Sequence, residues 1–207
     1  MHKEIELTAE IDKRQFDALR KYFSKHLRHT ASQKLFMVRF HKGSKLDQHN
    51  PLDVRYKWRN GIEKLVIKKG VLGSRSRKEF DIPLGKGSIE SVLQLFLSLS
   101  YKTANCMYRE IERFENKNVE AALGKAGPYY FIEVEALSER TNKEALAAVK
   151  NFFKTLKLVP LTKTEYHRFI YRLDQEVNFN FPLAQFPKPL MRSREWKKIL
   201  EKTIFSN

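Results

Sequence analysis

Apolar and charged residues alternate one by one in several separated runs of this chain, and a period of two confines those runs to strands with one greasy and one charged face. Two of the runs carry paired acids. In Glu4-Ile5-Glu6-Leu7-Thr8, the residues Glu4, Glu6, Thr8 and Glu10 share a side opposite Ile5, Leu7, Ala9 and Ile11. About 130 residues later, Phe131, Glu133 and Glu135 oppose Tyr130, Ile132, Val134 and Ala136. Carboxylates from two such strands offer the oxygen donors that a hard divalent cation prefers. Ordinary solvent-facing glutamates are the other reading of either pair.

Basic residues sort in the same way. Arg55, Lys57 and Arg59 alternate with Val54, Tyr56 and Trp58, and Lys64, Val66 and Lys68 oppose Leu65 and Ile67. Arg75, Arg77, Glu79 and Asp81 share a third row, and Met107, Arg109, Ile111 and Arg113 a fourth. On an open sheet these rows are a solvated face. In a closed sheet they line an interior too charged to be dry, which then requires a polyanion, metal and water. The 207 residues hold 40 Lys+Arg against 24 Asp+Glu, a formal charge of +16, and that surplus points to a polyanionic partner without naming it.

The remaining patterns place these rows in an α+β chain with a predominantly antiparallel sheet. Strands are expected at 3–11, 34–41, 52–59, 63–69, 76–83, 103–115, 118–123 and 129–137, with Asn60-Gly61 as a tight hairpin turn and 42–51 as a polar loop. Asp12 caps a helix to about 27, Ser88 one to about 99, and Thr141 with Glu144 one to about 157; Tyr166–Asp174 is a further short helix. The first 177 residues are expected to form the main domain, and 178–207 a proline-containing extension ending in a helix whose Trp196, Ile199 and Leu200 form an apolar stripe that packs on the body, contacts a second copy or, third in order, meets a membrane surface.

No run reaches the length of a membrane span, and the first apolar-rich stretch carries Glu4, Glu6 and Glu10, unlike a cleavable signal peptide. The single cysteine, Cys106, excludes an internal disulfide and a cysteine zinc site, and fits a small packed residue in a reduced, cytoplasmic protein. The six histidines show no zinc spacing, and neither a phosphate loop nor a nucleophile elbow occurs. Tyr56 and Trp58 alternate away from the bases beside them, so they serve a core better than a nucleic-acid platform.

The order of these motifs resembles the CYTH superfamily, or triphosphate tunnel metalloenzymes. Glu4-Ile5-Glu6-Leu7-Thr8, Leu52-Asp53-Val54-Arg55, Leu65-Val66-Ile67-Lys68, Arg77-Lys78-Glu79, the Arg109/Arg113 strand and Phe131-Ile132-Glu133-Val134-Glu135 carry it, over roughly residues 3–175. The resemblance implies a closed or nearly closed antiparallel β-barrel with helices outside, and a metal-dependent triphosphatase acting on an inorganic, nucleoside or RNA 5′ triphosphate. It implies Mg2+ or Mn2+ on Glu4, Glu6, Glu133 and Glu135, a general base among Glu4, Glu6 and Glu135, and triphosphate grip from Arg55, Lys57, Lys68, Arg77, Arg109 and Arg113, with Glu79 orienting a basic partner. Polyphosphate or an RNA 5′ end is the expected partner, with no membrane and the oligomeric state open. Thr8 stands where the family has lysine, Asp53 where it often has arginine, and Ile111 where a basic residue is common. The following strand, 119–123, shows no clean match to the family's aspartate. These departures leave open a second reading, a catalytically weak polyanion- or RNA-binding module of the same fold.

Overall fold

The structure, a computed structural model, describes residues 2–42, 52–70, 76–137 and 141–205, without the side chains of 2–4, 76–77 and 142. Among the described residues there are nine strands: β1 (His2–Ile11), β2 (Arg28–His41), β3 (Leu52–Arg59), β4 (Ile62–Lys69), β5 (Ser76–Leu84), β6 (Thr103–Glu115), β7 (Val119–Ala126), β8 (Tyr129–Ala136) and β9 (Phe179–Pro182). They form one sheet in the order β2-β3-β4-β5-β1-β8-β7-β6-β9, and β2 pairs with β6 as well. The helices are α1 (Lys13–His26), α2 (Ile89–Ser98), α3 (Asn142–Thr155), α4 (Lys163–Glu176), α5 (Lys188–Arg192) and α6 (Arg194–Lys202). The class is α+β with a large antiparallel sheet. No helix among the described residues is long and apolar enough to cross a membrane. The chain divides into two compact units, one of residues 1–33, 73–78 and 109–173, the other of 34–72, 79–108 and 174–207.

In the first unit the apolar backs of β1, β7 and β8 are covered by α1 and α3. Ile5, Leu7, Ala9, Leu123, Ile132 and Val134 pack with Phe23 of α1 and with Ala145, Val149 and Phe153 of α3. Both helices begin in reciprocal capping boxes, Asp12 with Gln15 and Thr141 with Glu144, which satisfy N–H groups that the first turn leaves over. The register sets the opposite face: Glu6 pairs with Glu135, Thr8 with Glu133, and Glu10 with Phe131.

The second unit has its own core. Phe36, Val38 and Phe40 of β2 and Val54, Tyr56 and Trp58 of β3 pack on Val92, Leu93 and Phe96 of α2, with Phe40 stacked on Phe96 at 4.2 Å. Cys106 is fully buried in it, as a small packed residue should be. Asn60 (φ 47°) and Gly61 (φ 87°) both sit in the left-handed region that the two-residue hairpin requires. The apolar stripe of α6 is also spent here, with Trp196 and Leu200 in the core beside Phe181, Leu183 and Leu190. β9 pairs with β6 through Phe181 and Ala104.

Four local expectations are corrected. β2 begins at Arg28 rather than 34, because its first six residues carry no apolar alternation and are held instead by side-chain bonds, Arg28 to Glu115 and Gln33 to Arg113. β7 does not end at Leu123: Gly124, Lys125 and Ala126 continue it, and Gly124 pairs with Phe131. A Cβ on Gly124 would lie 2.1 Å from the Phe131 ring, so this glycine marks a close crossing inside a strand rather than a loop. Finally, α4 starts at Lys163, where Thr162 and Glu165 form a third capping box. Ser88 precedes α2 as expected, yet its hydroxyl donates to the Gly85 carbonyl. Buried Glu63 does the capping, accepting from the N–H groups of Gly87 (2.6 Å) and Ser88 (2.9 Å).

Candidate functional site

In the second unit, strand pairing assembles a basic cluster on the face turned away from the core. Arg39 lies across from Arg55, Met37 from Lys57, Lys57 from Lys64, and Asp53 from Lys68. Two carboxylates link the cations. Asp53 accepts a forked pair from Arg55, Nε to Oδ1 at 2.9 Å and Nη2 to Oδ2, and lies 3.3 Å from Arg39 Nε. Glu79 of β5 receives Lys68 Nζ at 2.5 Å and lies 3.7 Å from Lys57 Nζ. Arg39, Arg55 and Lys68 are buried, at 3%, 8% and 7% exposure. Four cations therefore converge on two carboxylates with little water to screen them. Burial first, and then the neighbouring Lys68, Arg55 and Arg59, push the Lys57 ammonium down from its ordinary 10.5 to about 8, against the pull of Glu79. Lys64, at the rim, pairs with Asp81 at 2.9 Å.

The equivalent face of the first unit has the opposite character. Glu6, Glu135 and Glu120 lie side by side across β1, β8 and β7. Arg113 pairs with Glu120 and donates to Gln33 at 3.2 Å, and Arg109 lies 3.7 Å from Glu133 with its guanidinium over the Phe131 ring at 5.3 Å. Ile111 between them is buried at 4%. At the Tyr129 end, α4 closes over this face: Phe169 packs edge-on to Phe131, and Arg172 reaches Glu10 across the rings of Tyr129 and Phe169.

Thus Arg55, Lys57, Lys68 and Glu79 come together in one unit, and Glu6, Glu133, Glu135, Arg109 and Arg113 in the other. Glu4 and Arg77 lie on β1 and β5, but their side chains fall outside the description, as do the whole of Arg75 and most of the 42–51 loop. Sequence reasoning passed over Arg39 and Glu120. Arg39 is the single charge in a run buried on both faces, Leu35 to Phe40, and that is its signal. Asp53, read as a departure, is the hub of the two guanidiniums.

Among the described residues no three His, Cys, Asp or Glu side chains converge as a protein-only metal cage would need. Glu6 and Glu135 nevertheless match in kind a magnesium-type site, which takes one or two carboxylates and completes its shell with water and phosphate oxygens.

No family model and no curated protein matches the sequence. Solved structures do. The PH1819 protein of Pyrococcus horikoshii OT3 superposes with a TM-score of 0.62 at 19% identity, covering 82% of this chain and 98% of that one. A candidate adenylate cyclase from Vibrio parahaemolyticus gives 0.59 at 11% identity, covering 78% and 91%. HpAC1 from Hippeastrum, described as an adenylyl cyclase candidate with a dominant triphosphatase activity, gives 0.53 at 14% identity, covering 77% and 90%. At such identities the likeness is one of fold: the chain has the CYTH fold that its motifs resemble.

Proposed function

We propose that this chain binds a linear triphosphate, inorganic, nucleoside or at an RNA 5′ end, and hydrolyses it with Mg2+ or Mn2+. One observation carries the reading: Arg39, Arg55, Lys57 and Lys68 are gathered, largely out of water, beside Asp53 and Glu79. Gathering like charges out of water is costly, and an anion brought among them offsets that cost. Phosphate oxygens suit such a group, because guanidinium forks and ammonium groups bind them with short, charge-assisted bonds. The reading includes a tunnel, as the motifs' resemblance to the triphosphate tunnel metalloenzymes implies.

Hydrolysis needs a water to attack the terminal phosphorus while the bond to the bridging oxygen breaks, releasing orthophosphate and diphosphate. Glu6 and Glu135 would hold the divalent cation, which would supply charge neutralisation at the phosphate oxygens. Glu4, Glu6 or Glu135 takes the proton of the attacking water, and Arg109 and Arg113 offset negative charge in the same face. Glu79 positions Lys57 and Lys68. A cyclase reading, raised by the neighbours' descriptions, requires further groups to orient a ribose hydroxyl.

The catalytically weak binder remains a second reading, and one observation favours it. Arg109 and Arg113 are already matched with Glu133 and Glu120, which withholds carboxylate from a metal and cation from a phosphate. Phosphate release from tripolyphosphate, ATP and triphosphorylated RNA, with magnesium or manganese and with cyclic AMP measured in parallel, separates these readings. Metal-dependent release that falls at least about 100-fold in Glu6→Gln, with tripolyphosphate binding retained, is expected of the hydrolase. Binding without release selects the weak binder, and neither binding nor release sinks both.

A further inference from the structure

Among the cations of the second unit's basic face, Lys57 differs in how its charge is held. Lys68 Nζ meets Glu79 at 2.5 Å and Arg55 is forked onto Asp53, whereas Lys57 Nζ stands 3.7 Å from Glu79, beyond hydrogen-bond reach. Lys64, across from it on β4, is turned to Asp81. Lys57 keeps 14% of its side chain exposed, a narrow opening to solvent. Burial, and the like charges of Lys68, Arg55 and Arg59, favour its uncharged amine against the pull of Glu79 and bring the pKa to about 8. About one Lys57 in ten is then uncharged at pH 7, against about one in 3000 for an amine at the ordinary 10.5. A desolvated, uncharged lysine amine is a nucleophile.

The surroundings select both the electrophile and the product. So narrow an opening suits a molecule of a few atoms. Lys68 acts on the Lys57 nitrogen more strongly than Glu79 does, and Arg55 and Arg59 add to Lys68, so the field that disfavours an ammonium there favours an anion in its place. Carbon dioxide is small and uncharged, and it turns an amine into an anion with no leaving group. The lone pair of the uncharged Nζ bonds to the carbon, one C=O electron pair moves onto oxygen, and a proton leaves the nitrogen for solvent. The product is a carbamate, formed without oxidant, reductant or second reactant. The face already binds carboxylates in this way, with Arg55 on Asp53 and Lys68 on Glu79. Glu79 opposes the new anion, and the three cations outweigh it.

We infer that Lys57, set between Glu79 and the cations Lys68, Arg55 and Arg59, is a site of reversible carbamylation by carbon dioxide. Lys21, Lys25 and Lys150 are exposed to solvent and have no such setting. Carbamylation replaces one positive charge of the basic face by a negative one. Carbon dioxide therefore competes with a triphosphate on that face and regulates its binding, a consequence that rests on the function proposed above, as the modification itself does not.

The test is carbon NMR of the full-length protein in isotopically labelled bicarbonate near neutral pH, with the carbamate trapped as its ethyl ester by triethyloxonium and located by peptide mass spectrometry. The ester should occupy Lys57 at least about tenfold more than Lys21, Lys25 or Lys150, a mapping that needs no variant. The Lys57 signal should vanish in Lys57→Met and in Lys57→Arg, which keeps the positive charge, while the signal of the α-amino group persists in both. Bicarbonate, compared with chloride at equal ionic strength, should weaken tripolyphosphate binding to the wild type about threefold or more and leave Lys57→Arg unchanged, because only the wild type exchanges a cation for an anion. Occupancy at Lys57 no higher than at the exposed lysines would overturn the inference and leave the triphosphate reading untouched. Equal weakening of the wild type and Lys57→Arg would reduce bicarbonate to an ordinary competing anion and overturn the regulatory role. Carbamylation of Lys57 that tripolyphosphate fails to suppress would support the site and overturn its link to the triphosphate.

Discussion

The charged faces of the two units are built from the same alternation yet balance charge in opposite senses. In the first, Glu6, Glu120, Glu133 and Glu135 outnumber Arg109 and Arg113, and each guanidinium already has a carboxylate beside it. In the second, four cations share Asp53 and Glu79. Among these residues one face carries more acid than base and the other more base than acid. The lesson is that alternation fixes where charges go, while the cross-strand register fixes what each must be neutralised by.

The largest effect should come from stripping the basic face. Arg55→Met/Lys68→Met is expected to weaken tripolyphosphate binding about 1000-fold, since each charge-assisted bond contributes about 2 kcal/mol, and to remove the ligand's effect on melting temperature. Lys21→Met/Lys25→Met lowers the total charge equally on the exposed surface of α1 and should cost less than about threefold. Calorimetric titration of both doubles decides the matter. Equal losses would mean that attraction is spread over the whole surface and that the contrast between the faces has no bearing on binding.

Much of this contrast was legible before any coordinates. The period of two placed Arg55, Lys57 and Lys68 on one side and Val54, Tyr56 and Trp58 on the other, because in a half-buried strand hydrophobicity reports the face directly. Arg39 escaped because Leu35 through Phe40 is buried on both sides, which erases the alternation. Glu120 escaped for a different reason. Its partner Arg113 is chosen by the β6–β7 register, pinned by a turn in which Asn116 Oδ1 accepts from the N–H groups of Asn118 and Val119, and no single-strand pattern contains that information. The same holds for Gly124: a glycine near a Gly-Pro turn looks like loop until the Phe131 ring is seen lying on it.

A middle-sized effect probes Asp53, the acid that makes the second face less basic than its row of cations suggests. Asp53→Asn removes the carboxylate shared by Arg39 and Arg55 while keeping its shape. The ligand-free protein should lose about 3 kcal/mol, as expected when one partner of a buried ion pair is removed. Tripolyphosphate affinity should rise about tenfold, because the anion no longer competes with an internal carboxylate for the Arg55 fork. Denaturant unfolding and titration of the same variant read both signs. A loss of affinity would show that Asp53 chiefly positions the guanidiniums, and the face would then be a preorganised site, not one short of negative charge.

The smallest effect sharpens the contrast at a single proton. Lys57 sits among Lys68, Arg55 and Arg59 with Glu79 as its near carboxylate, and holds its proton in the folded protein only up to about pH 8, against 10.5 ordinarily. Between those values the unfolded chain keeps a proton that the folded chain has released, so folding stability should rise with pH across that window. Below pH 8 both states are protonated and the full cost of burying the ammonium is present, on the order of 3 kcal/mol. Lys57→Met should therefore be the more stable protein at pH 7, with the advantage shrinking as pH climbs toward 10.5. A bound polyphosphate supplies the negative charge that Glu79 supplies alone, which raises the Lys57 value again and makes binding at pH 8.5 take up a fraction of a proton. Titrations in buffers of different ionisation heat measure that uptake, and Lys57→Met should abolish it. If wild type and variant exchange the same number of protons, the crowding of cations around Lys57 is relieved without an anion, and the second face has no greater call for a ligand than the first.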